Sequence, residues 1–121
     1  MESGIWNLNK ATMHAVPPSL IVERSGTHYT LKQGATYHFD CDGHDFPGPE
    51  FGTVRCANLP RGIKVELKRN GKLSSTWKLQ LHMDSGTMTE SITDIHEGVP
   101  PSIEHDEYRR RTPGNQVLAG T

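Results

Sequence analysis

The residues best spaced for chemistry sit on two alternating segments near the end of the chain. In residues 87–96, Ile92 shares a face with Met88, Glu90 and Asp94; in residues 103–111, Tyr108 shares one with Arg110. If both faces point into a common interior, Glu90 and Arg110 enter apolar surroundings, where an unpaired charge is very costly. Paired with each other or with tyrosine hydroxyls, they would give an apolar cavity a few fixed polar anchors, as ligand pockets require. On the outer wall or at a rim, the same two residues would make an ordinary salt bridge. Glu90 with Tyr37 or Tyr108 is also the pair to test for general acid–base work. Otherwise the acids of this third, Glu90, Asp94, Glu104, Asp106 and Glu107, read as solvated.

Metal and nucleophile chemistry find less support. Seven histidines are present, at positions 14, 28, 38, 44, 82, 96 and 105. None is paired at the i, i+4 spacing of a zinc-binding helix, and none forms His-x-His. The stretch from Asp40 to Glu50 gathers Asp40, Cys41, Asp42, His44, Asp45 and Glu50, yet it lacks the spacing of a calcium-binding loop. Its glycines and prolines are ordinary loop chemistry. The sequence contains no Gly-x-Ser-x-Gly elbow and no phosphate-cradling glycine loop. No catalytic residue, metal or cofactor is therefore assigned.

Cys41 and Cys56 leave two readings open. A disulfide would close a loop that stabilises by roughly 3 kcal/mol on the chain-entropy model and would point to an oxidising compartment. Alternatively, both are buried free thiols that pack as small hydrophobes.

The elements that must position these residues are strands. Segments 4–9, 19–23, 27–31, 35–41, 51–56, 63–69, 72–83, 87–96 and 103–111 carry alternating apolar residues. Residues 42–50 read as a loop, and Asn70-Gly71 is the strongest hairpin signal in the chain. Alternation places Tyr29, Tyr37, Phe39, Val54, Ile63, Val65, Leu67, Trp77, Leu79, Leu81, Ile92 and Tyr108 inward. Only 33% of the 121 residues are hydrophobic, which suits a fold whose strands bury every second side chain. One domain over residues 1–121 is expected. Short connections favour antiparallel neighbours, and closure removes exposed edges. The expected fold is all-β, an antiparallel up-and-down barrel of about eight strands, with a two-sheet sandwich as the alternative.

The opening strand, Gly4-Ile5-Trp6, resembles the Gly-x-Trp signature of lipocalins and related calycin barrels. In that family the Trp closes one barrel end and packs on an Arg near the last strand; Arg109, Arg110 and Arg111 stand ready here. Thr93-Asp94-Ile95 partly echoes a second lipocalin signature, without its Tyr. The chain is shorter than a typical lipocalin. With Val16-Pro17-Pro18 and the long meander that follows, the pattern is more similar to small lipocalin-like domains of exported bacterial proteins. The resemblance implies a barrel that holds a small apolar or amphipathic molecule, and no particular ligand.

Three functions follow from these readings. The leading one is small-molecule binding in a barrel cavity, with Tyr29, Tyr37, Phe39, Trp77, Glu90, Tyr108 and Arg110 as ligand-binding residues. The second is an enzyme of cyclase or isomerase type that uses the same cavity. The third is a protein-interaction domain with a filled barrel. A net charge of −1 argues against nucleic-acid binding driven by bulk electrostatics. No apolar run reaches the roughly 18 residues of a membrane span. A monomer or homodimer is expected. Met1-Glu2-Ser3-Gly4 shows no signal peptide, as in a chain whose leader has been removed; secretion or a periplasmic location is the expectation, with the cytoplasm as the alternative.

Overall fold

The computed structural model describes residues 1, 3–11, 17–48, 52–83 and 85–111. Ten strands form one antiparallel sheet: β1 (Gly4–Ala11), β2 (Ser19–Ser25), β3 (His28–Gln33), β4 (Ala35–Asp40), β5 (Asp42–Pro47), β6 (Thr53–Leu59), β7 (Gly62–Arg69), β8 (Lys72–His82), β9 (Thr87–Asp94) and β10 (Ser102–Arg110). The spatial order β4-β3-β2-β1-β10-β9-β8-β7-β6-β5 is a meander whose two chain ends meet, β1 pairing with β10. The result is a nearly closed barrel. The sheet's two edges, β4 and β5, are consecutive in the chain but are not hydrogen-bonded to each other.

Ten strands replace the expected eight or so, chiefly because residues 42–47 pair with β6 rather than looping free. Every residue of β5 is exposed, and Pro47 ends it. A proline-bearing segment with no apolar face pairs only as an edge strand, which hides it from pattern reading. Glu50 and Phe51 lie outside the described residues.

Cys41, between the two edge strands, is joined to Cys56 in β6 by a disulfide, which fastens the seam where the ladder is missing. Asn70 and Gly71, at φ 52° and 74°, form the tight β7–β8 turn, as the dipeptide requires. Gly62 is needed for another reason: a Cβ there would lie 1.9 Å from the Leu79 carbonyl oxygen on β8. Between Leu67 and Lys68 the β7–β8 register shifts, so Lys68 pairs with Leu73 while Leu67 pairs with Ser75. This bulge turns Leu73 to the outer face and leaves it exposed.

The core fills only part of the barrel. Trp6, Leu20, Val22, Tyr29, Leu31, Ile63, Leu79, Met88 and Tyr108 are buried together, and each such side chain contributes roughly 1.5–3 kcal/mol by leaving water. The Arg110 guanidinium lies 6.0 Å from the centre of the Trp6 ring, so indole and arginine cap this end together. No helix among the described residues is long and apolar enough to cross a membrane.

Candidate functional site

The other half of the barrel is open. Inward positions of β3, β4, β6, β7, β8 and β9 surround a pocket of about 350 Å³ lined by Gln33, Tyr37, Phe39, Val54, Val65, Leu67, Ser75, Trp77 and Ile92. Trp77 stands edge-on to both Tyr37 and Phe39, with ring centres 5.4 and 5.9 Å away. Tyr37 remains 42% exposed, a large aromatic without a full complement of neighbours. Three rings and an aliphatic wall make an apolar lining.

The floor is polar. Glu90 on β9 is fully buried. The Trp77 Nε1–H donates to Glu90 Oε2 at 2.6 Å. The Gln33 amide nitrogen donates to both Glu90 oxygens at 2.9 Å and to the Tyr108 hydroxyl at 2.7 Å. Behind Glu90, the pairing of β9 with β10 sets Asp106 opposite it. Carboxyl oxygens of Glu90, Glu104 and Asp106 lie within 4.8 Å of one another. Asp106 is 2% exposed, and neither of its oxygens meets a donor among the described residues.

Three buried or half-buried acids cannot all stay ionised in such space. Burial, followed by the hydrogen bond and charge of Asp106, pushes Glu90 up to about 7. Glu104 is also held at about 7, first by its hydrogen bond with Asp106. A protonated Glu90 or Glu104 supplies the O–H that Asp106 otherwise lacks. Tyr108 is raised mainly by burial and then by the nearby Glu90 charge, so it stays a neutral phenol.

The seven ligand-binding residues expected from sequence separate into three sets. Tyr37, Phe39 and Trp77 line the pocket. Glu90 and Tyr108 lie beneath it, joined through Gln33. Tyr29 and Arg110 belong to the filled end: the Tyr29 hydroxyl bonds with Met1 and Asn58, and Arg110 stacks on Trp6. The expected Glu90–Arg110 pair therefore does not form, because β10 sets Asp106 opposite Glu90 and carries Arg110 four residues, about 13 Å, further along the strand. The expectation that Glu90 and Asp106 are solvated is also corrected, since both are buried. Pattern reading missed Gln33 and Asp106. Gln33 ends a strand and carried no chemical signal by itself; Asp106 shares the inward face of Tyr108, which was the available clue.

A second recess of about 640 Å³ opens at the filled end beside Met1, Trp6, Arg24, Arg61, Leu81 and Arg110. Two of its three arginines are already engaged. Arg24 donates to the carbonyls of Gly26 and Met1 and covers the Tyr29 ring, while Arg110 covers Trp6. The acids of 40–47 are likewise occupied. Asp40 accepts from Thr27, Asp42 from the His44 backbone, and Asp45 takes two bonds from Arg55. Among the described residues, these acids do not form a group that could hold a metal ion.

No protein-family model and no curated protein matches the sequence. Solved structures do match the fold. Wild-type fluorescent protein UnaG aligns over 89% of this chain and 96% of its own, with a TM-score of 0.64 at 15% identity. The Y128F mutant of the REP1-NXSQ fatty acid transporter covers 89% and 96%, with a TM-score of 0.63 at 12% identity. The fatty-acid-binding protein isolated from Manduca sexta covers 89% and 98%, with a TM-score of 0.61 at 12% identity. The fold is of the calycin type. Identities this low establish the architecture alone, so the chemistry of the interior has to be read from this chain's own residues.

Proposed function

We propose that the chain binds a small apolar or amphipathic molecule in the open half of its barrel. One observation carries this reading: a pocket of about 350 Å³ is walled by Tyr37, Phe39, Trp77 and aliphatic side chains over a polar floor. That volume is within the roughly 300–1,000 Å³ of small-molecule sites. Two of the fold neighbours named above are a fatty acid transporter and a fatty-acid-binding protein, which agrees with an apolar ligand. Within the calycin type, Gly4-Ile5-Trp6 favours a small lipocalin-like domain, and the disulfide favours a secreted or periplasmic location.

The test is calorimetric titration of n-decanol into the native chain and into Leu67→Trp, which fills the pocket. Saturable heat in the native chain, lost in the variant, supports the reading. Absence of heat in a folded native chain removes it.

A second reading rests on Glu90 alone. A carboxyl held at about 7 is matched to general acid–base work near neutral pH. It predicts turnover lost in Glu90→Gln with the bound ligand retained.

A further inference from the structure

Resting on the pocket reading, we propose that the ligand carries a cationic amine head, and that the Gln33 amide nitrogen holds its place in the empty protein. The Gln33 nitrogen faces three acceptors at once: Glu90 Oε1, Glu90 Oε2 and the Tyr108 hydroxyl, all at 2.7–2.9 Å. A side-chain amide has two hydrogens for these three acceptors, whereas a primary ammonium has three. The position is thus better matched to –NH3⁺ than to the group that fills it.

The charge of the surroundings agrees. Asp106, almost wholly buried, adds to the same cluster two oxygens whose sole donors among the described residues are the neighbouring carboxyls when protonated. The titratable groups facing Glu90 are Asp106, Glu104 and Tyr108, all from β10; β3 and β8 contribute the neutral Gln33 and Trp77. Among the described residues, no lysine or arginine contributes to the shift of Glu90. A carboxylate head would bring one more negative charge onto this floor, while an ammonium would compensate one. The aromatic wall above is compatible with a cation as well.

Gln33 is the last residue of β3 and lines the pocket itself. A rotamer change frees the place without breaking the ladder. Glu90 must ionise to receive the head at full strength, so uptake of the amine expels a proton and affinity rises as pH passes about 7.

The experiment titrates the full chain by calorimetry with three ten-carbon probes, n-decylamine, n-decanol and decanoate, each below its micelle concentration. At about pH 8 decylamine is expected to bind about tenfold or more tighter than decanoate, the scale of one charge-assisted contact. Its affinity should rise between about pH 6 and 8, with the amine, near 10.4 in reference lysine, still charged. Glu90→Gln should lower the decylamine-to-decanol affinity ratio. Gln33→Ala, which vacates the nitrogen's place, should raise decylamine affinity; a fall would overturn the displacement. Decanoate binding as tightly as decylamine would overturn the amine head while decanol binding preserved the pocket. No binding by any of the three would take down the pocket reading and this inference with it.

Discussion

The two halves of this barrel are built from the same strands and the same alternation, yet one is filled and the other is open. At the end capped by Trp6, inward residues from β1, β2, β3, β7, β8, β9 and β10 meet across the axis and exclude water. At the other end, Trp77 meets Tyr37 and Phe39 edge-on, and together with Val54, Leu67 and Ile92 these rings line a pocket instead of closing into a filled core. Between them lies a belt of Gln33, Glu90, Asp106 and Tyr108, whose hydrogen bonds and shared protons separate core from pocket. Inward placement and burial are therefore different properties: strand pleat supplies the first, and the side chains across the axis decide the second.

The largest expected contrast is in stability. Leu31→Ala, in the filled half, should cost about 2–5 kcal/mol in urea unfolding, the range for a buried leucine. Leu67→Ala, on the pocket wall, should cost clearly less, about 1 kcal/mol, since its cavity already exists. Equal costs would erase the distinction between the halves. Next, loss of the disulfide through Cys41→Ser with Cys56→Ser should cost about 3 kcal/mol, read as a lower urea midpoint. No change would mean that the seam between β4 and β5 needs no fastening.

The belt gives a pH signature. Glu90 sits at about 7 in the folded chain against an ordinary value of 4.5, so the folded protein holds a proton that the unfolded chain releases. Its stabilisation is complete below about pH 4.5 and is lost as pH rises towards 7, with a slope of at most about 1.4 kcal/mol per pH unit for one proton. Urea midpoints measured across this window should fall in the native chain and fall less steeply in Glu90→Gln, where Glu104, also held at about 7, still takes up a proton on folding. The smallest effect belongs to the cap: Arg110→Ala should cost about 0.5–1 kcal/mol, the worth of an exposed cation–π contact, with ligand binding in the open half retained.

Much of this was legible in the sequence. Asn70-Gly71 located a hairpin, and alternation in β7, β8 and β9 placed Val65, Trp77, Leu79 and Ile92 inward. The Gly4-Ile5-Trp6 resemblance pointed to the capped end and to one of Arg109, Arg110 and Arg111 as its partner; the structure shows it to be Arg110. β5 was not legible, because a fully exposed edge strand with Gly43 and Pro47 has no periodic apolar face. The separation of Tyr29 and Arg110 from Trp77 was not legible either. Alternation reports which side of a strand a residue faces, but not its height along the barrel, which depends on register and tilt. The acidic cluster required the β9–β10 register that sets Glu90 opposite Asp106.

The chain has two tryptophans, one in each half, and their indole N–H signals in a ¹H–¹⁵N NMR titration with n-decylamine test the central claim most directly. Trp77, whose N–H is bonded to Glu90 beneath the pocket, should shift saturably, while Trp6 at the capped end stays in place. Movement of Trp6 with Trp77 unmoved, or no movement of either, would contradict the division of the barrel into a packed half and a receiving half.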